Sequence, residues 1–85
     1  MREFQTAIEA RVVLRPLFLR MKLLCYNPDL ITLHTNIEHM IDDLSKLEIK
    51  ARQTRSIRSV QAKHEEIVQA MDRFDKLLIM MQLSQ

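Results

Sequence analysis

The stretch NPDLITLHTNIEHMIDDLSKL, residues 27–47, decides the fold. Asn27 can cap a helix, Pro28 has the φ angle of a first helical position, and Asp29 complements the positive end of the helix dipole, so a helix begins here. Beyond this start Leu30, Leu33, Ile37, Met40, Leu44 and Leu47 recur at alternating spacings of three and four, which is a heptad seam. Ile31 and Ile41 widen the seam beyond a two-position stripe, as in a bundle helix rather than a two-stranded coil.

Downstream, Ile57, Val60, His64, Ile67, Met71, Phe74, Leu78 and Met81 form a second seam of the same kind. The two seams do not share a register. Continuing the first through Ala51 and Thr54 places Arg58, not Ile57, on the apolar line, so the register slips within residues 48–57. One continuous helix from Pro28 to Leu83 would be about 84 Å long and could bury its seam only in an assembly, which favours separate helices. Thr54, Ser56 and Ser59 are the candidate caps at the break. Upstream, Glu3 to Leu24 has helical periodicity, with Pro16 inside it; proline lacks an N–H and crowds the carbonyl four residues back, which predicts a kink or break near Val12 to Arg15. The expected architecture is all-α: a single domain over residues 1–85, with helices at about 3–24, 28–47, 49–61 and 63–83, packed as a three- or four-helix bundle or a long helical hairpin.

Composition agrees. The 85 residues include no glycine and two prolines, so hairpin turns and phosphate-cradling loops lack the residue that adopts positive φ cheaply. A domain this short buries only about 60% of its unfolded surface. The single Cys25 excludes an intramolecular disulfide, so the expectation is a bundle completed by self-association or by a partner. The stretch from Val12 to Tyr26 is apolar but carries Arg15, Arg20 and Lys22, and it falls short of a membrane span of about 20 apolar residues. It also lacks a signal-peptide cleavage pattern, which makes a reducing, intracellular setting the default, with cytoplasm and nucleus undistinguished.

Chemistry is thinly represented. His34, Glu38 and His39 share part of a helical face, but the spacing differs from the zinc pattern of two histidines four apart flanking a glutamate, so a solvated face is the expectation. His64 on the second seam reads as a buried or half-buried imidazole with a hydrogen bond. Cys25 lacks the electropositive setting of a reactive thiolate and reads as a packed cysteine. The adjacent acids Asp42-Asp43 and Glu65-Glu66 point about 100° apart on a helix and form no facing acid/base couple. No enzyme, cofactor, metal or small-molecule substrate is indicated.

Charge lies in blocks. Residues 1–24 carry +3, 25–45 carry −4, 46–63 carry +5 and 64–85 carry −2, within a net charge of +2. Lys46, Lys50, Arg52, Arg55, Arg58 and Lys63 face only Glu48 in opposition, so this block is a candidate contact for nucleic-acid phosphates or an acidic protein. No aromatic residues are interleaved to stack on bases. Leu77 to Met81 is apolar on every side. The apolar excess around Val12 to Leu24 and Leu77 to Leu83 marks Leu14, Leu17, Phe18, Met21, Leu77, Leu78, Met80 and Met81 as the candidate partner-binding surface.

Leu14-Arg15-Pro16-Leu17-Phe18, then Pro28-Asp29-Leu30, then Ile49-Lys50-Ala51 resembles, in order, part of the helical domain of a late pre-mRNA splicing factor family. Ala51, Glu66-Ile67-Val68-Gln69-Ala70-Met71 and Lys76-Leu77-Leu78 are similar to the related bundle domain of the steroid receptor RNA activator protein and the COPII outer-coat scaffold. The second pattern has a tryptophan where Ala70 stands and a Gly-Val-Lys-Arg-like run where Asp72-Arg73-Phe74-Asp75 stand. The splicing family's later strongly patterned segment is absent. The resemblance implies a non-enzymatic helical bundle working as a protein-interaction or scaffold module within a ribonucleoprotein or coat assembly, and transfers no catalytic residue. The other reading is a small basic nucleic-acid-binding protein using the 46–63 cluster.

Overall fold

The computed structural model describes residues 4–24, 27–54 and 57–83. Three helices account for nearly all of them: α1 (Ala7–Leu24), α2 (Pro28–Thr54) and α3 (Arg58–Leu83). Each helix packs on both others, giving a three-helix bundle of 49 × 18 × 17 Å. A 27-residue helix is about 40 Å long, so the helices run along the long dimension.

The packing sense follows from contacts that tie the helices together. The Ala7 N–H donates to Glu48 Oε2 at 3.1 Å, Arg11 pairs with Asp42 at 2.7 Å, and the Phe18 ring lies 4.4 Å from that of His34. Numbers rise along α1 as they fall along α2, so these two are antiparallel. Phe4 contacts His64, and Arg20 pairs with Asp75 at 2.8 Å, so α1 and α3 are parallel. This is the up-down-up arrangement that short connections impose.

Asn27 caps α2 as its sequence requires: Oδ1 accepts from Asp29 N–H at 2.8 Å and Leu30 N–H at 3.4 Å. At α1, Thr6 Oγ1 accepts from Glu9 N–H, and Glu9 Oε2 accepts from Gln5 N–H, an arrangement close to a capping box. The helix therefore starts at Ala7 rather than at Glu3, which lies outside the described residues. It runs unbroken through Pro16 to Leu24 instead of dividing there.

The joints expected at 47–49 and 61–63 are not breaks. α2 continues to Thr54, and α3 begins at Arg58 with the Gln61 N–H bonded to Ile57 O. The register slip between the seams thus falls at the single reversal between Thr54 and Arg58. Of the expected caps, Thr54 ends α2, Ser59 lies inside α3, and Ser56 is outside the described residues, as is Cys25.

The core takes Phe4, Ala7, Ala10, Val13, Leu14, Leu17 and Met21 from the first segment, Leu30, Ile37, Ile41 and Leu44 from α2, and Ile67, Met71, Phe74 and Leu78 from α3. On α3 these four lie on the seam read from sequence, with Val60, His64 and Met81 half-buried along it, while Ile57, before the helix, is exposed. On α2 the buried line is shifted. Leu30, Ile37 and Leu44 lie on it, but Ile41 is fully buried while Leu33, Met40 and Leu47 are half-buried at its edge.

Candidate functional site

Three surface regions carry features beyond the needs of folding. The first is the outer face of α1. Ile8, Val12, Leu19 and Leu23 are 72%, 55%, 50% and 87% exposed. At about 100° per residue they fall within an arc of about 60°, opposite the buried line Ala7, Ala10, Val13, Leu14, Leu17 and Met21. α1 is therefore apolar on two opposite faces, and the bundle covers one. Arg11, Arg15 and Lys22 border the stripe on the α2 side, while Glu9 and Arg20 border it on the α3 side. Arg11 and Arg20 are tied down by Asp42 and Asp75. The exposed Arg15 has no ion pair among the described residues, and the Lys22 ammonium lies 5.5 Å from the centre of the Phe18 ring.

The second region is a groove of about 580 Å³ between α1 and α2, lined by Arg15, Phe18, Ile31, His34 and Glu38 among others. His34 belongs to the bundle rather than to a solvated face. Its side chain is 13% exposed, its ring lies between those of Phe18 and Phe74, and Nδ1 is 3.1 Å from Glu38 Oε1. His39, by contrast, is exposed, so the two histidines are not brought together. Among the described residues no group of three or more His, Cys, Asp and Glu side chains is placed to hold a metal ion. His64 is half-buried as expected. Its Nε2–H donates to Phe4 O at 2.7 Å, fixing the lead-in to α1 on α3.

The third region is the α2–α3 end of the bundle. Lys46, Lys50, Arg52 and Arg58 are exposed there, and Lys63 is half-buried with Glu66 Oε2 at 3.0 Å. Arg55 lies outside the described residues. Glu48, the one acid within 46–63, turns inward to the α1 N-terminus and leaves the surface of this end basic.

Seven of the eight residues marked by sequence as a partner-binding surface are not available for one. Leu14, Leu17, Met21 and Leu78 are buried in the core, while Phe18, Leu77 and Met81 are half-buried against it. Only Met80 is exposed, beside Ile79 and Leu83. The two apolar faces of α1 are not distinguishable by periodicity, and the face expected to bind a partner is the one the bundle buries. The missed surface residues, Ile8, Val12 and Leu19, carried a readable signal in their helical spacing.

No helix among the described residues is long and apolar enough to cross a membrane. No family model matches the chain, and no curated protein or solved structure matches it.

Proposed function

We propose that this protein is a non-enzymatic helical interaction module that works inside a larger assembly. The observation that carries the reading is the second apolar face of α1. Four aliphatic side chains along one stripe, each at least half exposed, cost hydration free energy in an isolated bundle, at about 25 cal/mol per Å² of apolar surface. Apolar patches of this kind on a folded surface mark contact sites. The resemblance to the bundle domain of splicing and coat components supports an assembly role, in a reducing, intracellular setting. The test is binding of a hydrophobic dye to the folded chain. Val12→Ser with Leu19→Ser lowers that binding and leaves the circular dichroism unchanged. A folded wild-type chain that binds no dye refutes the reading.

A second reading, binding to nucleic acid, is favoured by the inward turn of Glu48 to the Ala7 N–H, away from the exposed Lys46, Arg52 and Arg58. It requires affinity that falls steeply with salt, measured by fluorescence anisotropy on duplex and single-stranded probes. Replacing Lys50, Arg52, Arg55 and Arg58 by Ala removes that affinity. Unchanged binding by the quadruple variant, or none at low salt, excludes this reading.

A further inference from the structure

The exposed stripe of α1 has an internal symmetry. Its residues sit at positions 8, 12, 19 and 23, with spacings of four, seven and four. Reversing the chain direction about the midpoint between Arg15 and Pro16 superposes position 8 on 23 and position 12 on 19. A two-fold axis perpendicular to the helix at that midpoint therefore brings Ile8 of one copy opposite Leu23 of the next, and Val12 opposite Leu19. That is the defining property of an isologous contact, in which residue i meets j and j meets i.

We infer that the outer face of α1 pairs antiparallel with the same face of a second copy of this chain. This rests on the reading of that face as a contact surface. The flanking charges agree on one side and oppose on the other. A perpendicular two-fold keeps each flank against its own counterpart. On the α3 side Glu9 of one copy comes within a turn of Arg20 of the other. On the α2 side Arg15 meets Arg15 at the axis and Arg11 of each copy comes within a turn of Lys22 of the other, so this whole flank is repulsive. The stripe is about 22 Å long and one helix wide. Such a contact falls short of the roughly 800 Å² per partner of standard stable interfaces, so the dimer is weak and concentration-dependent.

The Arg15 pair makes the inference sharply testable. Self-pairing places two like charges together, so Arg15→Gln tightens the dimer at low salt, whereas an acidic partner on the same face would be weakened by it. Sedimentation equilibrium of the full chain reads both. The wild-type chain dimerises with rising concentration, Leu19→Glu raises the dissociation constant more than about tenfold with unchanged circular dichroism, and Arg15→Gln lowers it. Orientation is read by disulfide formation in a Cys25→Ser background. A mixture of Val12→Cys chains with Leu19→Cys chains cross-links, and neither variant alone does.

Four results overturn the inference: a chain that stays monomeric, a dimer indifferent to Leu19→Glu, a dimer weakened by Arg15→Gln, and efficient cross-linking of either cysteine variant with itself. A synthetic helix with leucine at the seam and glutamate beside it separates the two levels of failure. A monomer that binds this peptide through Arg15 overturns self-pairing and leaves the contact surface standing. A monomer that binds neither the peptide nor anionic phosphatidylglycerol vesicles through this face overturns both.

Discussion

Leu17 and Leu19 are two residues apart on α1, chemically identical, and on opposite faces. Leu17 is 6% exposed within the core and Leu19 is 50% exposed on the outer stripe. Truncating a buried leucine to alanine removes its transfer free energy and leaves a partly unfilled cavity, costing about 2–5 kcal/mol. At the exposed site half of the side chain is already in water and no cavity forms, so the cost in a monomer is within about 0.5 kcal/mol. For a domain of this size about 1 kcal/mol corresponds to 4–8 °C in Tm, so Leu17→Ala lowers Tm by at least about 10 °C and Leu19→Ala by less than about 4 °C. The measurement is thermal unfolding followed by circular dichroism on dilute protein. Equal losses for the two variants refute the assignment of the α1 faces and every inference built on it. Raising the protein concentration adds a second discrimination: dimerisation stabilises only the chain that retains Leu19, so the Leu19→Ala deficit grows with concentration.

Glu48→Ala removes the acceptor of the Ala7 N–H and costs about 1 kcal/mol in urea unfolding, with faster hydrogen exchange at Ala7. Pro16→Ala restores an amide inside an exposed helical turn and raises stability by about 2 kcal/mol, read as a higher urea midpoint. Phe74→Ala empties a fully buried site against which the His34 ring rests, costs about 3–5 kcal/mol and leaves a chain largely unfolded at ordinary temperature by near-ultraviolet circular dichroism.

The fold was legible where one physical signal acted alone. The Asn27-Pro28-Asp29 start of α2 and the Val60 to Met81 seam of α3 are determined locally, by capping geometry and by a single apolar stripe. The signal failed where two stripes competed. On α2 the lines 30, 33, 37, 40, 44, 47 and 30, 34, 37, 41, 44, 48 share three positions, and periodicity chooses the more apolar one. In the bundle His34 and Glu48 sit on the buried line because α1 supplies them with partners: Phe18 for the imidazole and the Ala7 amide for the carboxylate. A side chain's partner on a distant helix is not visible in its own neighbourhood. The same ambiguity acts on α1, where Leu14, Leu17 and Met21 compete with Ile8, Val12 and Leu19 for the buried side. The capping signal Thr6-Ala7-Ile8-Glu9 was readable in the sequence, and it places the start of α1 correctly.

The charge blocks acquire a meaning once the helices are placed. The positive first segment lies along the acidic part of α2 and beside α3, and the pairs Arg11–Asp42 and Arg20–Asp75 hold it there. Swapping the sense of α1 would set Arg20 toward the basic end of α2, so charge favours the observed antiparallel register. α1 begins level with Glu48, and the last two turns of α2 run on past it toward the reversal. Most of the +5 block therefore lies beyond the reach of the acidic first half of α2, and at its α3 edge Lys63 pairs with Glu66 at 3.0 Å. Two regions lie outside the core, the outer stripe of α1 and this basic end. In the proposed pair they are geometrically coupled. Reversing α1 about its midpoint sends the two basic ends in opposite directions and puts the two Arg52 positions roughly 38 Å apart along the helix axis, from the rise of α1 on each side of the two-fold and of the α2 turn beyond it. Spin labels at Arg52 of both copies measure that separation. A short distance between them is incompatible with the antiparallel pair.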